Sequence, residues 1–101
     1  VGRGTVRRAD DRRTIRQPHV LTVERLTVAY LATVPEARAQ DIVTAIEAHP
    51  DRPVIDAYRL VTAVYSTLSR LGRLGHVRMR TGRLRPELRQ SMLYRRVPDA
   101  E

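Results

Sequence analysis

The chain contains no cysteine, tryptophan, phenylalanine, lysine or asparagine, and its only aromatic residues are four tyrosines among 101 positions. Without cysteine, a disulfide framework and a thiolate metal site are both excluded. Without Trp or Phe, a core has to be assembled from Val, Leu, Ile and Ala, a mix that suits packed helices carrying a small sheet. No apolar run approaches the roughly 18 residues of a membrane span, and the charged-then-apolar start of a signal peptide is missing. These absences predict a soluble, cytoplasmic domain, and the length suits one domain rather than two. Lys, Asn and Phe share AT-rich codons, so their joint absence points to a high-GC bacterial genome, or a phage or plasmid of such a host.

What is present in excess is arginine. All nineteen basic residues are Arg, against eleven acids, for a net charge of +8. Residues 1–19 hold six Arg and two acids, residues 20–56 three Arg and six acids, and residues 57–101 ten Arg and three acids. The pattern predicts a near-neutral to acidic scaffold that presents a basic surface from its second half, with a basic arm in front. Basic faces of this kind are most often nucleic-acid footprints. Arginine suits the role, because its planar fork matches phosphate and guanine edges. An ordinary solvated surface is the plainer explanation, and motifs must decide.

Residues 1–19 carry two Gly, a Pro and few aliphatics, which predicts a flexible arm. Thr22 can cap a first helix in which Val23, Leu26, Tyr30 and Val34 recur at helical spacing. Pro35 ends that helix and can open a second, with Ala39, Ile42, Val43 and Ile46 along one stripe. His49-Pro50-Asp51-Arg52-Pro53 breaks the pattern. Asp56 is then the N-cap of a third helix over residues 57–73, and Gly75 its left-handed C-terminal glycine. Projected at helical pitch, Ala57, Val61, Val64, Tyr65, Leu68 and Leu71 make one face. Arg59, Thr62, Ala63, Ser66, Arg70 and Arg73 make the opposite one, polar and positive, with a small Ala at its middle. A face of that character fits the major groove of DNA and also fits water.

Beyond Gly75 the alternation in His76-Val77-Arg78-Met79-Arg80 predicts a strand with Val77 and Met79 inward. A basic loop follows over residues 81–91, and residues 92–97 return as a second strand. A helix starting at Pro86 is the rival reading. The strand is favoured because Val77 and Met79 need a partner.

Helix, helix, helix, strand, basic loop, strand is the order of a winged helix-turn-helix, a mainly α fold with a small β-hairpin. The run Val64-Tyr65-Ser66-Thr67-Leu68-Ser69-Arg70-Leu71, followed by Gly75-His76-Val77, is similar to the recognition-helix signature of PadR-like transcriptional regulators. Leu93-Tyr94-Arg95 resembles the end of the wing in that family, and the likeness covers residues 21–97. The resemblance implies sequence-specific binding of double-stranded DNA in transcriptional control, for example as a repressor. On it, Arg59, Thr62, Ala63 and Ser66 approach base edges, while Arg70 and Arg73 meet phosphate. The wing residues Arg80, Arg83, Arg85 and Arg89 lie on the backbone or in the minor groove. Arg38 and Gln40 touch phosphate at the second helix, as do Arg3, Arg7 and Arg8 of the arm. Tyr65 and Leu68 are core.

The chain departs from the family in two ways. Only four residues follow the wing, where PadR-like regulators carry dimerisation helices, so a monomer or weak homodimer through the first helix or the arm is expected. Val20, Val28 and Leu31 are the apolar candidates for that contact. The linker over residues 49–55 is also longer than a tight helix-turn-helix turn. No cofactor, metal or enzymatic role is expected: His19, His49 and His76 lack ligand spacing, Ser66 and Ser69 near His76 make no triad, and no Gly-rich phosphate loop follows a strand. The same fold and charge serve an accessory factor of recombination or plasmid maintenance, excisionase-like or partition-like, or a winged-helix module for protein or RNA.

Overall fold

The structure, a computed structural model, describes residues 18–98. The first helix, α1, runs Pro18–Leu31. Proline suits a first helical position, where its missing N–H has no acceptor to lose. Thr22 is therefore one turn inside the helix rather than its cap, and its hydroxyl donates to the Pro18 carbonyl at 3.1 Å. Pro18 and His19 belong to the helix and not to an arm. Val34 falls beyond its end, where the Thr33 hydroxyl donates to the Tyr30 carbonyl at 2.7 Å.

Pro35 does not open the second helix. Instead the chain passes Pro35 to reach an antiparallel bridge between Ala37 and Tyr94. The Ala37 N–H donates to Tyr94 at 3.0 Å, and the Tyr94 N–H returns to Ala37 at 2.8 Å. Helix α2 then occupies Ala39–Glu47, after an extended Arg38. The Asp41 carboxylate accepts from the Arg38 backbone N–H at 3.0 Å. This is one half of a capping box, since an arginine side chain cannot accept the reciprocal bond. Ala39, Ile42 and Ile46 are buried.

Helix α3 spans Ala57–Arg73, with Asp56 as its N-cap as expected: Asp56 Oδ1 accepts from the Arg59 N–H at 2.8 Å. At the other end Gly75 takes φ +81°, a conformation a side chain resists. The His76 N–H reaches back to the Leu71 carbonyl at 2.9 Å and the Gly75 N–H to Gly72 at 3.1 Å, the paired bonds of a Schellman motif. Strands β1 (Val77–Gly82) and β2 (Ser91–Arg96) form an antiparallel hairpin, with Val77 opposite Arg96 and Gly82 opposite Ser91. The returning segment is thus a strand and not a helix. Val77 and Tyr94 enter the core from one face of the hairpin, while Met79, expected inward, is about half exposed. Met79 lies where a Cβ on Gly72 would come within 3.3 Å of its Cε.

The architecture is mainly α with a small β-hairpin. Helix α1 packs on both other helices and on β2. Among the described residues no helix is long and apolar enough to cross a membrane.

The roll of α3 differs from the projection. Leu60, Ala63, Val64, Thr67, Leu68 and Leu71 are its buried residues. At about 100° per residue this turns the helix by roughly 60° from the expected setting. Ala63, expected at the centre of the outward face, is only 6% exposed, and Tyr65, expected in the core, is 52% exposed. Ala57 and Val61 are also outside.

Among the described residues the core holds two polar side chains, Thr27 and Thr67, both fully buried with no hydrogen-bond partner for their hydroxyls. An unsatisfied buried hydroxyl costs about 1–3 kcal/mol. Thr67→Val, which keeps the shape and removes the hydroxyl, is expected to raise stability by about 1 kcal/mol. Urea denaturation reads this directly, and a lower midpoint in the variant contradicts it.

Candidate nucleic-acid interface

The roll of α3 decides what the domain shows to a partner. Its outward face carries Tyr58, Thr62, Tyr65, Ser66, Ser69 and Arg73, with Arg59 and Val61 at its flanks, all exposed. Tyr58 is 81% exposed. Arg59 makes an open ion pair with the N-cap, its Nε 3.9 Å from Asp56 Oδ2.

Three elements meet beside Tyr65. One open depression is lined by Arg38 and Gln40 from the start of α2, Tyr65 from α3, and Leu88, Arg89 and Met92 from the hairpin. The bridge between Ala37 and Tyr94 positions them, since it ties the lead-in of α2 to β2. Burial, and next the neighbouring Tyr65, push the Tyr94 phenol above its ordinary pKa. Above the depression the hairpin loop displays Arg83, Arg85 and Arg89, all exposed. Arg83 donates to the Pro86 carbonyl at 3.2 Å, and Arg85 lies 3.5 Å from Glu87 in an open pair.

Compared with known proteins, the chain matches no family model, no curated sequence and no solved structure.

Within residues 64–77, Leu68, Leu71 and Val77 are buried and Gly75 is left-handed. Tyr65 points outward instead. Of the residues expected at the interface, Arg59, Thr62, Ser66, Arg73, Arg83, Arg85, Arg89 and Gln40 are exposed. Arg3, Arg7 and Arg8 lie outside the described residues.

Four expected contacts are placed otherwise. Ala63 is in the core. Arg70 turns toward α1, where its Nη2 sits 2.8 Å from Glu24 Oε2 and its side chain is 18% exposed. The contact is a charge pair rather than an aligned hydrogen bond. Arg38 is held by Asp41, with Nη2 2.7 Å from Oδ1 and Nε 3.0 Å from Oδ2. Arg80 is held by Glu36 in the same forked manner, at 2.6 and 2.7 Å. Each of these three arginines is paired inside the domain, Arg38 and Arg70 largely covered and Arg80 with its side chain still 57% exposed. Leu31, offered as a dimer contact, is buried, whereas Val28 remains exposed beside Leu21 on α1.

The residues missed were Tyr58 and Ser69, which join Thr62 and Tyr65 on one stripe at steps of three and four. Their signal was available: a tyrosine pair seven residues apart with a threonine between and a serine four residues beyond the second tyrosine. Arg78, exposed on β1 directly across from Arg95, was also passed over. Among the histidines, His49 Nδ1 accepts from the Asp51 N–H at 3.0 Å.

The Arg38 guanidinium hydrogen bonds hold the Asp41 carboxyl below its ordinary pKa, against a desolvation penalty, with the Arg38 backbone N–H and the charges of Arg38 and Arg85 adding to them. Hydrogen bonds from Arg80 lower Glu36 likewise. A depressed carboxylate stabilises the fold above its unfolded pKa, and that contribution is lost as pH falls through the folded value. Asp41→Asn is therefore expected to cost about 1 kcal/mol or less at neutral pH and to flatten the fall in stability below about pH 4. A pH series of urea midpoints measures both, and an unchanged acid limb contradicts the assignment. The two arginines of the last turn of α3 also separate: Arg70→Ala is expected to destabilise by about 1–3 kcal/mol, and Arg73→Ala by less than about 0.5 kcal/mol. Equal losses contradict the inward placement of Arg70.

Proposed function

We propose that this domain binds double-stranded DNA sequence-specifically, as a cytoplasmic transcriptional regulator of the winged helix-turn-helix kind. The reading sets the exposed face of α3 in the major groove and the arginine-bearing hairpin loop, the wing, on the flanking backbone or in the minor groove. The observation that carries it is the convergence of α3, the start of α2 and the hairpin beside Tyr65, with the exposed Arg83, Arg85 and Arg89 on the loop. Helix-turn-helix proteins dock in this way, with the second helix reading bases and neighbouring elements gripping phosphate.

Charge supports the same reading. Arg70, Arg38 and Arg80 are engaged within the domain, and the arginines this reading sets on phosphate are the exposed Arg59 and Arg73 on α3, the three of the loop and Arg78 of β1. Phosphate contacts supply affinity and position, and base contacts supply preference. The resemblance of residues 64–77 to the PadR-like signature adds the regulatory context. A homodimer across two half-sites would use the exposed Leu21 and Val28 of α1.

Each neutralised phosphate contributes about −0.9 to the slope of log affinity against log salt. Changing Arg83, Arg85 and Arg89 together to Gln is expected to flatten that slope by up to about 2–3 units, with the preferred sequence nearly intact. Binding isotherms over a salt series on a duplex enriched from a random library read both. A wild-type slope in the triple variant removes the wing from the DNA.

A further inference from the structure

The outward stripe of α3 has an unusual chemistry for a face flanked by arginines. Tyr58, Val61 and Tyr65 are large, apolar-bodied and exposed, and none is needed by the core. Thr62, Ser66 and Ser69 between them carry hydroxyls. The stripe has no carboxylate and no amide, and the whole chain has no asparagine. Bidentate reading of adenine needs Asn or Gln, and of guanine needs Arg or Lys. Arg59 and Arg73 meet the second need only at the two ends of the stripe.

For the exposed apolar bodies of Tyr58, Val61 and Tyr65 the matching base-edge feature is the one that apolar groups recognise, the C5 methyl of thymine. From residue 58 to residue 69 the stripe is about 16 Å long at 1.5 Å per residue, close to five base-pair steps of 3.4 Å. Resting on the DNA-binding reading above, we infer that Tyr58, Val61 and Tyr65 form a thymine-methyl reader, so that the domain prefers a site with consecutive thymines under the first half of α3 and a guanine beside them at Arg59. The phenols keep their hydroxyl ends in water or on phosphate while their rings cover the methyls, the division of labour that suits tyrosine at a half-wet surface.

The charge around the stripe favours DNA over a protein groove. Arg59 and Arg73 stand at its ends and Arg89 of the hairpin loop beside Tyr65, all exposed.

The test compares one enriched duplex with the same duplex in which deoxyuridine replaces thymidine, which removes methyls and leaves base pairing intact. Burial of a methyl is worth about 0.8 kcal/mol, or about fourfold in affinity. Two or three contacted methyls therefore predict a loss of about 15- to 60-fold on the uracil duplex. Tyr58→Ala and Tyr65→Ala are expected to weaken binding to the thymine duplex and to narrow the gap between the two duplexes. Equal wild-type affinity for both overturns the thymine assignment, leaves DNA binding standing, and makes the stripe a docking face for another protein. Failure of the library to enrich any duplex over random sequence overturns the DNA-binding reading itself, and the inference with it.

Discussion

The setting of α3 about its own axis governs everything this domain presents, and that setting is made where α3 meets α1. Arg70 comes inward to Glu24, with Ala63 and Thr67 buried on the same side. A small alanine and a compact threonine leave room for helices to approach, and the ion pair sits at the margin, where its charges are only partly desolvated. Setting the helix at the projected angle would carry the Tyr65 phenol inward, where it needs a hydrogen-bond partner, and would carry Leu60 toward water. Full burial of a leucine is worth about 1.5–3 kcal/mol, which favours the observed roll.

A second constraint comes from β2. Tyr94 pairs with Met79 on one side and bridges to Ala37 on the other, while its ring helps to close the core. One strand thereby fixes three things at once: the lead-in to α2, the base of the hairpin and the wall beside Tyr65. The latch between Arg80 and Glu36 repeats this tie at the surface, joining β1 to the same lead-in. The result is a rigid frame under a loop that carries three exposed arginines. Such a frame suits recognition, because affinity is not spent on ordering the reading surface.

Much of this was legible along the chain because its causes are local. Asp56 and Gly75 mark the ends of α3 by cap chemistry that acts within four or five residues. The breaker at residues 49–53 and the alternation after His76 are equally local, and so the helix order and the hairpin followed. The roll of α3 was not, because Ala63, Thr67, Tyr58 and Tyr65 are each acceptable inside or outside, and the choice belongs to α1 across the core. The ion pairs that withdraw Arg70 and Arg80 join residues more than forty positions apart, so each looked like a free cation in sequence. Arg38 is the exception. Its partner Asp41 lies only three residues on, and an acid at that position of a helix was a signal for the half capping box.

DNA recognition as proposed depends on one surface, the face of α3 between Tyr58 and Ser69 with Gln40 and the hairpin loop beside it. Backbone amide shifts of the isotope-labelled protein, followed as an enriched duplex is added, report which residues meet DNA. The largest changes are expected at residues 58–69, at Gln40 and at residues 83–89, with Leu21 and Val28 of α1 little moved by a single half-site. Changes concentrated on α1, with residues 58–69 silent, would contradict recognition through this surface.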